Sequence, residues 1–410
     1  MKAELVMIGT ELLLGHTVDT NAAFLAQELA KLGIDLYYKS TVGDNWLRML
    51  ETLAQALSRS DVVITSGGLG ATTDDLTREA IAAITNKPLK LNLEAVAAIE
   101  KYFHDRNRPM SDNNRKQAYL PSGSQMIPNH WGTAPGIICE VGEKCIICLP
   151  GVPGELKEMW SATVAPYLAK KGANSVIISR TLKFVGIGEA DLAQLVHEEI
   201  INQTNPTIAP YAGQGEVVLR VTAKAENTAA AQAMIQPVEE RLKQILAPYY
   251  YGADQDTLET VVGNMLRERG ETLATAESCT GGLIAHRITN VPGSSDYFNC
   301  GFVTYSNEAK IELLGVDPVL IQQYGAVSRE VAIAMAEGAR RQAGTSWGLA
   351  VTGIAGPGGA TRDKPVGLVH IAVASAGDTI AKVYHFHGTR EQIKFSTSQT
   401  ALNLLRLAMC

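Results

Sequence analysis

The chain has 410 residues, 46% hydrophobic and 19% charged, with a net charge of −6 at pH 7. This length predicts more than one domain, and the acidic balance argues against broad binding to nucleic acid or membrane surfaces, which favours a basic face. No apolar run has the length of a transmembrane helix, and six cysteines are too few for a disulfide framework, so we expect a cytoplasmic protein.

Strands and helices alternate through residues 1–170 and predict an α/β domain with a parallel sheet. Apolar runs predict the strands, and amphipathic segments predict the helices. The predicted strands cover 2–9, 34–43 and 61–68, and the predicted helices cover 21–33, 45–58, 74–85 and 153–169. The paired runs GIICEVG and KCIICLPG, within 136–151, predict a hairpin ahead of the last of these helices.

The segment ITSGGLGATTDDLTREA (64–80) carries the strongest signal of this first domain. A predicted strand runs into Gly67 and Gly68, where glycines let backbone N–H groups approach an anionic ligand. Asp74 and Asp75 follow at the predicted start of a helix. They suit either helix capping or the binding of a hard cation such as Mg²⁺, and the pattern does not choose between these roles.

From residue 171 the pattern changes and predicts a small α+β module over 171–252. Strands at 175–186 and 216–225 alternate with helices at 189–200 and 228–246. This order is similar to a KH-type fold, but the segment contains no G-x-x-G loop that would clamp nucleic acid. We read 247–256 as a linker, and we expect the module to space the outer domains or to form a dimer interface.

Residues 257–410 predict a third domain, again of the α/β class. A helix is expected over 329–342, with Ser328 as its N-cap and an end near Gly344. Strands are expected within 346–359, 366–375 and 379–388, and a long helix closes the chain.

The segment TAESCTGGLIAHRITNVPGSSDYFNCGFVTYSNEAK (275–310) contains two neighbouring candidate nucleophiles, Ser278 and Cys279. Ser278 lies between a predicted strand and a predicted helix, where free N–H groups and the helix dipole favour developing negative charge. Lys310 is the nearest credible base, and Tyr305 could orient it or relay a proton. Each residue also has an ordinary interpretation: Ser278 as helix N-cap, Cys279 as core residue and Lys310 as solvated residue. Spacing alone does not choose between the nucleophiles.

Three motifs resemble the C-terminal domain of the CinA (competence/damage-inducible protein A) family: AESCTGG, VPGSSDYFNCGFVTYSNEAK and AVTGIAGPGG. The resemblance implies an amidohydrolase domain that deamidates nicotinamide mononucleotide without a cofactor. It implies Ser278 as nucleophile, with Lys310 and Tyr305 as catalytic partners, and sets Cys279 aside. The substrate contacts that we expect are Ser295, the backbone around Thr352 and Gly353, and Arg390, which otherwise faces water.

The run GGLGATTDD resembles the GGxGxTxDD signature of molybdopterin-binding domains, which the CinA family shares; the usual GPT reads GAT here. GTELLLG, TVGDN, GTAPG and LPGVPGE support the resemblance in matching order. It implies a three-layer α/β domain with metal-dependent ADP-ribose pyrophosphatase activity. Asp44, Asp75 and Asp74 are the expected ligands of Mg²⁺, Mn²⁺ or Co²⁺, with or without K⁺. The expected substrate contacts are Gly68, Gly70, Thr72 and Glu11.

We therefore expect a three-domain enzyme of pyridine nucleotide salvage, acting as a homodimer. It would hydrolyse nicotinamide mononucleotide to nicotinate mononucleotide and ammonia, and ADP-ribose to AMP and ribose 5-phosphate. Two alternatives stay open. One is a molybdopterin- or nucleotide-binding module with only one active domain. The other is a competence-related accessory of DNA uptake, against which the lack of a basic patch argues.

Overall fold

The computed structural model describes residues 1–172 and 175–410. The chain divides into two compact units. The first consists of Met1–Ile178 and Ala223–Met234, and the second of Ser179–Thr222 and Ile235–Cys410. No helix in the two described ranges combines the length and apolar character needed to cross a membrane.

Eight strands lie in the first unit. They are β1 (Lys2–Ile8), β2 (Asp35–Val42), β3 (Val62–Ser66), β4 (Leu89–Leu91), β5 (Tyr119–Pro121), β6 (Gln125–Ile127), β7 (Gly136–Val141) and β8 (Lys144–Leu149). β4 and β5 form a separate antiparallel pair, and the other six form one sheet in the order β2-β1-β3-β8-β7-β6. Neighbours among β2, β1, β3 and β8 are parallel, whereas β7 is antiparallel to both β8 and β6. The predicted hairpin of β7 and β8 is confirmed.

Helices cover both faces of this sheet, which gives three layers. They are α1 (Thr10–Leu13), α2 (Thr20–Lys31), α3 (Trp46–Arg59), α4 (Thr77–Thr85), α5 (Leu93–His104), α6 (Asp112–Arg115), α7 (Pro153–Met159) and α8 (Ala165–Lys170). Alternate residues of β1 serve opposite cores, as the period of a strand requires. Leu5 packs with α2 and α7, and Val6 packs with α3 and α4. The predicted three-layer α/β class is confirmed.

Helix α4 starts later than its sequence predicts. It begins at Thr77, so Asp74 and Asp75 lie in the loop ahead of it. The N-cap position is Leu76, which forms no side-chain capping bond, while Asp75 Oδ2 accepts the N–H of Thr72 at 3.0 Å. The capping interpretation of the two aspartates is therefore wrong, because their carboxylates face the preceding loop instead of the helix.

Four strands form the sheet of the small module: β9 (Val176–Phe184), β10 (Thr207–Ala212), β11 (Val217–Ala225) and β12 (Tyr250–Ala253). Their order is β10-β11-β9-β12, and the helices are α9 (Glu189–Leu195), α10 (His197–Ile201) and α11 (Thr228–Ile245). The linker predicted at 247–256 is wrong, since β12 pairs with β9. Its aromatic residues are packed: Tyr250 contacts Phe184 edge to face, and Tyr251 is buried.

The second unit contains a five-stranded sheet: β13 (Leu273–Glu277), β14 (Phe298–Val303), β15 (Trp347–Gly353), β16 (Leu368–Ala374) and β17 (Thr379–His385). The order is β14-β13-β15-β16-β17. β13 is parallel to β14 and β15, and the remaining pairs are antiparallel. Its helices are α12 (Leu258–Arg269), α13 (Leu283–Thr289), α14 (Asn307–Leu314), α15 (Pro318–Tyr324), α16 (Arg329–Ala343) and α17 (Arg390–Ala408).

Two helical layers enclose this sheet. Buried residues of α12, α13 and α17 form one core, and those of α14 and α16 form the other. The predicted caps of α16 are confirmed, since the Ser328 side chain accepts the N–H of Val331 and the helix ends at Gly344 with φ 63°. The carboxyl ends of the parallel strands β13, β14 and β15 lie at one edge of the sheet, which brings the residues that follow them together.

Candidate active sites

Ser278 and Lys310 meet at this carboxyl edge. Ser278 follows β13 directly, and Lys310 lies near the start of α14, with its Nζ 3.2 Å from Ser278 Oγ. Only 9% of Ser278 and 1% of Lys310 is exposed. The ordinary interpretations of both residues are wrong, because the N-cap of α13 is Gly282 and Lys310 is buried instead of solvated.

The amine of Lys310 is surrounded by oxygen acceptors. Its Nζ donates to the backbone carbonyls of Thr304 at 2.8 Å and Ser306 at 3.3 Å. Burial lowers the pKa of Lys310, and the nearby Cys279 and Glu308 oppose this only in part. A neutral amine has two N–H groups, which match the two carbonyls, and one lone pair, which is left for the hydroxyl of Ser278. The arrangement can therefore accept a proton from Ser278.

Cys279 lies in an apolar environment, unlike Ser278. It is 6% exposed and packs in the core formed with α12, α13 and α17. Burial raises the pKa of its thiol to about 12, so the thiolate that a cysteine nucleophile requires is disfavoured. Of the two neighbouring candidates, Ser278 is the one that forms a hydrogen bond with Lys310 among the described residues.

Glu277 has a role that the sequence analysis missed. Its carboxylate accepts four hydrogen bonds from the turn that follows it, and only 1% of the residue is exposed. The donors are Thr280 Oγ1 at 2.7 Å and the N–H groups of Gly282, Ile284 and Ala285 at 3.0, 3.0 and 2.8 Å. The expectation that the N–H groups at the start of α13 are free is wrong for Gly282, Ile284 and Ala285, because Glu277 binds all three. An acidic residue just before a Gly-Gly turn and a helix was the available signal.

Tyr305 lies at the rim of the site instead of inside it. It is 62% exposed, and its hydroxyl accepts an N–H of Arg390 at 3.0 Å. Arg390 also donates to the carbonyl of Gly356 at 2.6 Å, in the TGIAGPGG segment. The Tyr305 hydroxyl forms no hydrogen bond with Lys310 in the described part of the chain. Its backbone neighbours Thr304 and Ser306 supply the two carbonyls that bind the amine.

Thr352 and Gly353 lie beside the nucleophile candidate. The N–H of Ser278 donates to the carbonyl of Val351 at 3.1 Å, which aligns the two strand ends. Thr352 is 1% exposed, and its hydroxyl donates to the carbonyl of Ala326 at 2.8 Å. The Thr352 side chain is thus used within the fold, and the adjacent backbone remains the candidate for a substrate contact.

Ser295 lies at the other end of the sheet. It belongs to the turn before β14, which runs parallel to β13 with Leu273 opposite Phe298 and Glu277 opposite Val303. Five strand residues span about 16 Å, so Ser295 and Ser278 are at opposite edges. The structure of this chain does not bring Ser295 to the Ser278–Lys310 pair.

The first unit contains a separate cavity of about 390 Å³. It lies where β1, β3 and β8 end, against the loop Gly67–Gly70. Five carboxylates line it, those of Glu11, Asp44, Asp74, Asp75 and Glu155. Most of the residues that the sequence assigns to this domain therefore share one cavity, including Gly68 and Gly70. Thr72 is not part of the lining, and its N–H and hydroxyl bind Asp75.

The two principal aspartates are oriented by threonines. Asp44 Oδ2 accepts the N–H of Thr10 at 2.9 Å and its hydroxyl at 2.8 Å, and Asp75 Oδ2 accepts both groups of Thr72. Within residues 1–172 and 175–410, no three His, Cys, Asp or Glu side chains converge as a metal site. Mg²⁺ is typically held by one or two carboxylates together with water and substrate phosphates, so this oxygen donor set fits a hard cation.

Glu155 is a cavity residue that the sequence analysis did not assign. It lies at the start of α7, and its Oε2 accepts the side-chain N–H of Asn129 at 2.7 Å. The signal was available, since Glu155 ends the LPGVPGE motif that supported the resemblance.

Three family patterns match the chain. They are described as "CinA C-terminal domain" at residues 255–409, "Probable molybdopterin binding domain" at 4–170 and "Damage-inducible protein CinA KH domain" at 179–252. A "Putative competence-damage inducible protein" of Symbiobacterium thermophilum is 49% identical, over 99% of this chain and 98% of that protein. A "CinA-like protein" of Kosmotoga olearia is 47% identical, over 100% of this chain and 99% of that protein. The crystal structure of the competence/damage inducible protein CihA from Agrobacterium tumefaciens is 42% identical, covers 37% of this chain and 93% of that chain, and superposes with a TM-score of 0.36.

We predict that Glu277→Gln destabilises the second unit by about 3 kcal/mol, because an amide presents an N–H where the turn presents only donors. Thr280→Ala, which removes one of the four donors, should cost only about 1 kcal/mol. Calorimetric unfolding of the full chain measures both changes. A glutamine variant within about 0.5 kcal/mol of the wild type would show that the four hydrogen bonds do not hold this turn.

Proposed function

Because the chain belongs to the CinA family of competence/damage-inducible proteins and its buried Ser278 and Lys310 are in contact, we propose that its C-terminal domain is an amidohydrolase. The substrate would be nicotinamide mononucleotide, and the products nicotinate mononucleotide and ammonia. The observation that carries this proposal is the 3.2 Å contact between a hydroxyl and a lysine that two carbonyls orient. The family resemblance predicted from the sequence is confirmed, and the reaction is the proposal.

The proposed reaction passes through an acyl-enzyme. Ser278 Oγ attacks the carboxamide carbon while its proton moves to Lys310 Nζ. Lys310 then gives that proton to the departing amine, and the C–N bond breaks to release ammonia. A water molecule, deprotonated in turn by Lys310, hydrolyses the ester and frees Ser278. No cofactor is required by this sequence of steps.

The remaining groups have supporting roles in the proposal. The backbone around Thr352 and Gly353 lies beside Ser278 and would bind the carbonyl oxygen as negative charge develops there. Tyr305 and Arg390 are joined at the rim, where the guanidinium would bind the phosphate of the substrate. The N–H groups of Gly282, Ile284 and Ala285 are not available for this task, because Glu277 accepts them.

We propose a second activity for the first unit, the hydrolysis of ADP-ribose to AMP and ribose 5-phosphate. The five carboxylates lining one cavity against a glycine loop favour it. Asp44 and Asp75 would hold a divalent cation (Mg²⁺, Mn²⁺ or Co²⁺, with or without K⁺), with Asp74 as a further ligand. When bound, the cation would neutralise phosphate charge and activate water. Gly68 and Gly70 would contact the diphosphate, Glu11 the substrate, and Thr72 would orient Asp75.

The expected homodimer, the cytoplasmic location and the absence of nucleic-acid and membrane partners stay predictions. So do the domain limits 1–170, 171–252 and 257–410. The ligands that we propose are small nucleotides, and a protein with only one active domain is the alternative that the two activity measurements below distinguish.

We predict that Ser278→Ala lowers ammonia release from nicotinamide mononucleotide by at least about 1,000-fold, since it removes the attacking oxygen. Cys279→Ala is the matched control at the adjacent position, and it should change the rate by no more than about twofold, because the thiol lies in the core. Both variants should hydrolyse ADP-ribose as the wild type does. An inactive Cys279→Ala together with an active Ser278→Ala would reverse the assignment.

We predict that deamidation rises with pH and reaches a plateau above the lowered pKa of Lys310. Only the neutral amine accepts a proton, so the rate falls as the pH drops through that pKa and Nζ becomes charged. The pH profile of kcat/KM should show this limb in the wild type. Lys310→Met, which removes the base, should be slower by about 100-fold or more, and Lys310→Arg should not restore the rate because a guanidinium stays protonated. An unchanged limb in Lys310→Met would assign it to another group.

We predict that Asp44→Asn and Asp75→Asn each lower metal-dependent ADP-ribose hydrolysis by at least about 100-fold, because an amide binds a divalent cation less strongly than a carboxylate. Glu51→Gln, an exposed acid on α3, is the control and should behave as the wild type does. Ammonia release from nicotinamide mononucleotide should be unchanged in all three variants. Full ADP-ribose turnover by both aspartate variants would remove these residues from the site.

A further inference from the structure

Arg78 is a fully buried cation directly behind the glycine loop of the first unit. It lies in α4 and is 1% exposed. Its two terminal nitrogens donate to backbone carbonyls of the loop, NH1 to Leu69 and NH2 to Gly70 at 2.9 Å. The side chain thus holds the loop from the side opposite to solvent.

Arg78 forms no ion pair or hydrogen bond with a carboxylate in the described part of the chain. Glu79 and Asp75 partly offset the effect of burial on the pKa of Arg78, but Glu79 forms its ion pair with Lys116 at 3.4 Å, and Asp75 accepts from Thr72. The Nε atom of Arg78 is buried without a hydrogen-bond partner among the described residues. Burial lowers the pKa of Arg78, yet a guanidinium stays charged at any physiological pH. A buried charge that is hydrogen-bonded mainly to backbone carbonyls also attracts an anion bound on the other side of the loop.

A single segment of backbone, the glycine loop, separates Arg78 from the cavity. Gly67, Gly68, Leu69 and Gly70 line the cavity of about 390 Å³ on its other side. In a trans peptide the N–H points opposite to the C=O of the same peptide unit. Because Arg78 binds the carbonyls of Leu69 and Gly70, the N–H groups of Gly70 and Ala71 point away from it. Neither of these N–H groups has a hydrogen-bond partner within the described ranges.

We propose that Arg78 is the positioning residue of an anion subsite that takes the diphosphate of a nucleotide. It fixes the carbonyls of Leu69 and Gly70, so that the N–H group of Gly70, which belongs to the cavity lining, faces the phosphate, and its buried charge attracts that phosphate across the loop. The inference rests on the nucleotide hydrolysis proposed for this unit. It adds a physical reason why the cavity would prefer ligands that carry a phosphate.

A neighbouring uncharged residue also binds the glycine loop and provides a control. Thr77, next to Arg78, is 0% exposed, and its hydroxyl donates to the carbonyl of Gly67 at 2.9 Å. Thr77→Val removes a loop hydrogen bond and leaves the electrostatics unchanged. Arg78→Gln removes the positive charge and at least one of the two hydrogen bonds to the loop carbonyls. Arg78→Lys keeps the charge and loses at least one of these hydrogen bonds.

The test is calorimetric titration of the full-length wild type and these three variants with adenosine, AMP and ADP, in the presence of Mg²⁺. We expect Arg78→Gln to weaken ADP binding about tenfold more than adenosine binding, as for one unit charge acting across roughly 10 Å of protein. Thr77→Val should lower the affinity for all three ligands by the same factor. Arg78→Lys should retain most of the wild-type preference for ADP.

Three outcomes would overturn the inference. Equal losses for the three ligands in Arg78→Gln would show a purely structural role and leave the proposed hydrolysis intact. Wild-type protein that binds none of the ligands would overturn the proposed function of this unit together with the inference. If Arg78→Gln does not fold by circular dichroism, Arg78→Lys decides, since a folded lysine variant that has lost the preference for ADP contradicts a role of charge.

Discussion

The burial of one amine is the constraint on which the C-terminal site depends. The fold encloses Lys310 between the end of β14 and the start of α14. Desolvation disfavours its charged form, and the carbonyls of Thr304 and Ser306 replace only part of the lost hydration. The same burial that disfavours the charged lysine would allow the neutral amine to act as the base that we propose for Ser278. Stability and reactivity at this position are therefore opposed.

Both candidate sites use the same feature of parallel sheets. In each unit the functional side chains follow neighbouring parallel strands, whose carboxyl ends meet at one edge. The side chains at this edge of the sheet differ between the two units. The first unit presents carboxylates around a glycine loop, which suits a cation and a diphosphate, whereas the second presents a hydroxyl against an amine, which suits attack on a carbonyl. Similar geometry would thus serve the two unrelated reactions that we propose.

Buried charges in this protein hold backbone as well as neutralise other charges. Glu277 accepts three N–H groups of the turn after β13, and Arg78 donates to two carbonyls of the glycine loop. Both interactions fix a glycine-containing turn whose own sequence permits many conformations. A charge bound to several peptide groups stiffens such a turn more than a neutral side chain would, because charge-assisted hydrogen bonds are stronger. The conformation of the two turns is therefore held by buried residues that need not contact a substrate.

The sequence by itself determined the α/β class and most strand and helix positions, and its motifs singled out Ser278, Lys310, Asp44 and Asp75 as candidates, because periodicity and motif order are local properties. Spacing alone could not choose Ser278 over Cys279, which only the family resemblance set aside, since the two residues are adjacent and packing decides which one meets Lys310. The sequence analysis missed strand β12 and the role of Glu277, and it brought in Ser295, which parallel pairing of β13 and β14 places at the far edge. Tertiary structure decided these points because burial, and the meeting of strand ends distant in sequence, exist only in the folded chain.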